Sequence, residues 1–161
     1  MGISGNRNNS ARLSAAGMKF TLAVSRYNSD IVDRLLHGAT LTLERQGAEA
    51  HDIELVKVPG AFELPLVCQR IAAQRHCDAI IAIGAVVRGD TPHFDYVAGN
   101  CARGLADVAL KFDLPVVFGV LTVDTLEQAL ARAGENPQNK GAEAALTAIE
   151  MVSVLAALKT T

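Results

Sequence analysis

Apolar residues along this chain follow two rhythms, short continuous runs and longer stretches with a helical stripe, which alternate from Lys19 to the C-terminus. Lys19 to Ser25 predicts a first strand. The segment that opens at Ser29 or Asp30 carries Val32, Leu35, Leu36, Ala39 and Leu43, the spacing of one helix face, and stops at Gly47. Asp52 to Val58 predicts a second strand, closed by Pro59-Gly60. Pro65 has no N–H to donate, so it fits only the first turn of the next helix, which runs from about Leu64 to Gln74. Ala79 to Val87 is apolar throughout, as a central parallel strand must be when both its faces are covered. A third helix follows, with its stripe at Ala98, Cys101, Ala102, Leu105, Ala109 and Phe112. Pro115 to Thr122 predicts the fourth strand, and a short helix from Thr125 to about Ala133 ends at Gly134. The polar stretch Glu135 to Asn139 reads as a loop. The last helix, Ala142 to Leu158, has one apolar face at Ala145, Ala148, Ile149, Val152 and Ala156, and a second line at Met151, Val154 and Leu158. A helix apolar on two sides is packed on two sides.

Strands alternating with helices give an α/β fold, a three-layer α/β/α sandwich on a four-stranded parallel sheet with right-handed crossovers. Residues 1–17, rich in Asn, Ser and Gly, predict a flexible arm, able to add a strand to a neighbour's sheet edge, and 18–161 a single domain.

Composition sharpens this picture. The 161 residues are half apolar, and the mean hydropathy is +0.22. The longest apolar run falls well short of the ~20 residues a membrane helix needs. The excess apolar surface therefore points to burial between subunits, a homo-oligomer. A net charge of −2, no Lys/Arg cluster and 4% aromatic residues argue against nucleic-acid binding. Cys68, Cys77 and Cys101 are odd in number, lack metal-ligand spacing and lie in apolar segments, which fits buried thiols in a reducing cytoplasm and no metal. The N-terminus has no signal core, and Asn6 stands where a myristoylation motif needs Ser or Thr.

In a parallel sheet every strand C-terminus points the same way, so the segments that follow the strands converge. Here they bring Tyr27, Glu63, the turn Gly89-Asp90-Thr91 and His93 to one end. An aromatic face suits a flat polar heterocycle, a carboxylate accepts from hydroxyls, and a helix start suits phosphate. Histidine moves protons near neutral pH. Taken singly, each residue has a plainer reading: Asp90 and Thr91 as turn and cap, His93 as a surface loop residue, Glu63 as a first-turn acid, Tyr27 as a half-buried aromatic. Arg132 suits the negative end of its helix, and Lys140 a loop cap. The chain has no P-loop, GxGxxG, HExxH or GxSxG pattern, so nucleotide hydrolysis, dinucleotide binding and serine hydrolysis lose support.

Four stretches in order and in register, VPGAFELP (Val58 to Pro65), GAVVRGDTPHFDYV (Gly84 to Val97), PVVFGVLTVDTLEQALARAG (Pro115 to Gly134) and NKGAEAA (Asn139 to Ala145), closely resemble lumazine synthase. The similarity spans roughly Phe20 to Leu158. It implies a flavodoxin-like fold, homopentamers or multiples of pentamers, riboflavin synthase as a partner, and sites shared between adjacent subunits. The implied reaction condenses 5-amino-6-(D-ribitylamino)uracil with 3,4-dihydroxy-2-butanone 4-phosphate, without cofactor. Carried over by motif, His93 transfers protons, Tyr27 stacks on the pyrimidine, and Ala61, Phe62 and Glu63 hold ribityl chain and ring. Ala85, Val86 and Val87 line the same pocket, while Asp90 and Thr91 bind phosphate. Phe118 and Arg132 come from the neighbouring subunit, Phe118 towards the ring and Arg132 towards the phosphate, near which Lys140 also belongs. Other members often have Phe or Trp where Tyr27 stands. The competing expectations are a non-catalytic flavin or lumazine binder and a shell-forming protein on the same scaffold.

Overall fold

The computed structural model describes residues 13–135 and 137–158. Its strands are β1 (Phe20–Ser25), β2 (Ile53–Val58), β3 (Ala79–Val87) and β4 (Val116–Val123). Its α-helices are α1 (Ser29–Arg45), α2 (Leu64–Gln74), α3 (His93–Phe112), α4 (Leu126–Arg132) and α5 (Lys140–Ala157). The four strands form one all-parallel sheet in the order β2-β1-β3-β4. The expected α/β sandwich is the fold found.

The side-chain period of two along a strand sorts the core into two halves. Phe20, Leu22 and Val24 of β1 join Ile81, Ile83 and Ala85 of β3 on one face, under Leu35 and Leu43 of α1 and Ala145, Ala148 and Ile149 of α5. Ala23, Ile80, Ala82 and Val86 point the other way, under Leu64 and Cys68 of α2 and Cys101 and Leu105 of α3. Ile80, Ile81 and Ile83 are wholly buried, each removal from water being worth roughly 1.5–3 kcal/mol. The continuous apolar run of β3 is thus the spine of both halves.

Helix α5 lies close against α1. A Cβ on Gly141 would run into the Leu35 carbonyl oxygen, and one on Gly38 into the Asn139 side chain. Asn139 fills that notch. Its Oδ1 accepts from Ala142 N (3.0 Å) to cap α5, while Nδ2 donates to Arg34 O (3.0 Å) and Gly134 O (3.1 Å). The cap explains why α5 starts at Lys140 rather than at the expected Ala142.

Several other readings shift on contact with the structure. On α3 the buried residues are Cys101, Leu105 and Val108, while Ala102 is exposed and Ala109 and Phe112 are only half-buried, so the true stripe is rotated from the expected one. The end of the expected free arm is packed: Ala15 is buried and its N–H donates to Gln46 O (2.8 Å). The strand addition expected of the arm falls on residues 1–12, outside the described ones. Met151, Val154 and Leu158 are exposed in this single chain.

Candidate functional site

The β1 and β2 ends are stitched together beyond the strands themselves. Arg26 N donates to Val58 O (2.8 Å) and Tyr27 N to Pro59 O (3.0 Å). Asn28 then turns the chain into α1 with φ 60°, a left-handed conformation that Asn tolerates better than most residues. Its Nδ2 donates to Ala85 O (2.9 Å), which fastens this turn to β3. Tyr27 is left standing in the open, 73% exposed.

After β2, Pro59-Gly60 leads into a 3-10 turn, Ala61–Glu63, in which Glu63 N donates to Gly60 O (3.2 Å). Ala61 is buried, whereas Phe62 and Glu63 face outward. After β3 the chain crosses Arg88 to Pro92 and enters α3 at His93, whose N–H lies 3.5 Å from Thr91 Oγ1.

These three crossings border an open cavity of about 770 Å³. That is within the usual range for a small-molecule site. Tyr27, Ala61, Phe62, Glu63, Ala85, Val86, Val87, Thr91 and His93 all line it. Asp90 does not; it sits exposed in the same loop while its neighbours Gly89 and Thr91 face the cavity. Asn28, Phe94, Tyr96 and Val97 line it too and were not expected. A signal for three of them existed: Phe94, Tyr96 and Val97 lie within four residues of His93, inside the first helical turns.

Phe118 and Arg132 lie away from this cavity. They line a groove of about 440 Å³ along the edge strand β4, together with Lys140 and Glu143. Phe118 is 44% exposed there. Arg132 Nη1 donates to Gln128 O (3.1 Å), and Lys140 Nζ is 2.7 Å from Glu143 Oε2. One chain thus carries two separate concavities: an apolar pocket with an acid and a histidine, and an edge groove with two cations.

The thiols stay outside both. Burial pushes the Cys68 thiol up to about 12 and the Cys101 thiol to about 11, which keeps them protonated and unreactive. Among the described residues no group of three or more His, Cys, Asp or Glu is placed to hold a metal ion. No described helix is long and apolar enough to cross a membrane.

The model of one protein family, 6,7-dimethyl-8-ribityllumazine synthase, matches residues 17–156. This chain belongs to that family. Among the described residues the match takes in the four strands and the five α-helices, α5 to within its last residue, and with them both the pocket and the edge groove. Lumazine synthase membership therefore covers the whole arrangement rather than a single motif. It also fits the resemblance carried by the four sequence stretches.

Proposed function

We propose that this protein joins 5-amino-6-(D-ribitylamino)uracil to 3,4-dihydroxy-2-butanone 4-phosphate, giving 6,7-dimethyl-8-ribityllumazine, phosphate and two waters. The observation that carries this reading is the wall of the larger cavity, where an exposed flat aromatic (Tyr27), a carboxylate (Glu63) and a histidine at a helix start (His93) face the same space. Family membership supplies the reaction class.

In this reading the pyrimidine stacks on Tyr27, and the ribityl hydroxyls donate to Glu63. The 5-amino group attacks the butanone carbonyl and loses water to give an imine. A proton then leaves carbon as phosphate departs, and the 6-amino nitrogen closes the ring with loss of a second water. Each step adds, eliminates or moves a proton, so His93 and a fixed geometry suffice. Thr91 and the loop around it bind the phosphate. Asp90, being outside the cavity wall, would act through its backbone.

The guanidinium that receives the departing phosphate would come from Arg132 of an adjacent copy, with Phe118 closing over the ring. The exposed positions of Phe118 on edge strand β4 and of Arg132 at the end of α4, both lining the edge groove, support that division, as does the apolar surface left open on one chain. A cyclic homo-oligomer, a pentamer or a multiple of pentamers, satisfies it, since a heterologous contact repeated around a ring pairs every pocket with one edge groove.

The test is to mix the purified protein with both substrates and follow the lumazine product by absorbance and fluorescence against the uncatalysed reaction. Acceleration is expected, and His93→Ala should slow turnover by about 10²-fold if positioning dominates and up to ~10⁴-fold if proton transfer does. Equal rates in the two proteins would remove His93 from the mechanism. No acceleration by a correctly assembled oligomer would transfer the pocket to a binding role.

A further inference from the structure

Arg88 is the first residue after β3, and nothing in the proposed chemistry uses it. Its backbone N–H continues the ladder, donating to Val123 O (2.9 Å) at the end of β4. Its side chain then reaches three ways. Nε donates to Asp124 Oδ1 at 2.8 Å, Nη1 lies 3.4 Å from Asp95 Oδ1, and the guanidinium carbon stands 4.3 Å from the centre of the Phe94 ring. The anchor at the far end is itself fixed. Asp124 N donates to Gln128 Oε1 (2.8 Å) while Gln128 N donates to Thr125 Oγ1 (3.1 Å), which caps α4 and ties Asp124 to its first turn.

The consequence is a closed loop. Main chain leaves β3 at Arg88, crosses Gly89 to Pro92 and returns as α3, and the Arg88 side chain spans its base by gripping Phe94 and Asp95. Gly89, Thr91 and His93, all of which line the cavity, lie within the span. A guanidinium suits this task because its planar fork serves two carboxylates while its face stacks on an aromatic ring. A lysine offers one charge and no such plane.

We propose that Arg88 is a positioning residue: through Asp124, Phe94 and Asp95 it sets the spacing between His93 and the turn Gly89 to Thr91, and so aligns the proton-transfer group with the phosphorylated substrate. This rests on the reading of the cavity as the lumazine synthase site. It assigns the two substrates different sensitivities, because Tyr27 and Glu63 are carried by other crossings and do not depend on the clasp.

Steady-state kinetics on the full-length oligomer, varying each substrate in turn, tests it with Arg88→Met, Arg88→Lys, Asp124→Asn and the double variant Arg88→Met/Asp124→Asn. Arg88→Met should lower kcat/KM for the butanone phosphate by about tenfold, the scale of a small misplacement, with KM for the uracil within about twofold. Arg88→Lys should remain impaired, and the double variant should lose no more than Arg88→Met alone. Equal loss towards both substrates, full rescue by lysine, or additive losses would overturn the assignment. Should Arg88→Met fail to fold, Asp124→Asn, which keeps size and shape, carries the same comparison. Amide hydrogen exchange on the substrate-free proteins separates this idea from the functional reading. The Arg88 and Asp95 amides, bonded to Val123 and Pro92, should exchange faster in Arg88→Met while β1 is unchanged. If the native protein shows no catalysis, the functional reading falls but this comparison still stands, and unaltered exchange sinks the clasp.

Discussion

At the scale of single residues, burial decides which groups are chemically available. Cys68 and Cys101 are fully buried in the α2/α3 half of the core, and desolvation disfavours their thiolates, whereas His93, Glu63 and Thr91 are exposed at the sheet end. The raised thiols make a stability prediction. With the folded pKa of Cys68 at about 12 against 9.0 unfolded, the unfolded chain releases its proton first as pH rises. Stability from this group is complete below about pH 9 and is lost progressively towards pH 12, the loss being on the order of 1 kcal/mol by pH 10. Urea unfolding at pH 8 and pH 10 should show a smaller drop in Cys68→Ala than in the native protein. An identical drop in both would mean that the thiol does not titrate on unfolding.

At the scale of elements, the contact between α1 and α5 is set by the absence of side chains. Gly141 sits against the Leu35 carbonyl and Gly38 against Asn139, so the helices approach closer than any Cβ would permit. Gly141→Ala should therefore destabilise despite alanine's better helix propensity. Overpacking of this kind costs ~1–3 kcal/mol, against roughly 1 kcal/mol gained from propensity. A lowered Tm with an unchanged far-UV spectrum is the expected result, and a raised Tm would show that α5 can slide away freely. The consequence reaches the edge groove, because Lys140 and Glu143 lie in the same first turn of α5.

At the scale of the whole molecule, Tyr27, Glu63 and His93 line one cavity while Phe118 and Arg132 line a separate groove, and the proposed function joins the two between neighbouring copies. Arg132→Ala should chiefly weaken use of the phosphorylated substrate, as seen in its KM. Mixing tests the sharing directly. Subunits carrying His93→Ala and subunits carrying Arg132→Ala, unfolded together and reassembled, should regain roughly a quarter of the native sites, because random pairing around a ring reunites an intact pocket with an intact edge that often. Recovery of that order supports sites built between copies. Activity no higher than the average of the two variants would place both residues of each site in one chain.

Much of this was legible in the sequence because it depends on neighbours along the chain. Runs such as Ala79 to Val87 declare a two-faced strand, Pro65 marks a first turn, and the order of strands and helices dictates a parallel sheet whose ends gather Tyr27, Glu63 and His93. Four motifs in register carried the family. What the tertiary structure alone decided depends on groups far apart in sequence. The rotation of the α3 stripe follows from how α3 meets α2 and β3, since several faces of an alanine-rich helix look equally apolar. Asn139 caps α5 through Ala142 N, and only the fold brings Arg34 O to the Nδ2 that holds this cap in place. The exclusion of Asp90 from the cavity wall and the reach of Arg88 to Asp124 depend on where side chains point as two crossings meet. Local pattern fixes which face a strand or a sharply amphipathic helix buries, but the face of an evenly apolar helix and the direction of a loop side chain are set by whatever the fold brings beside them.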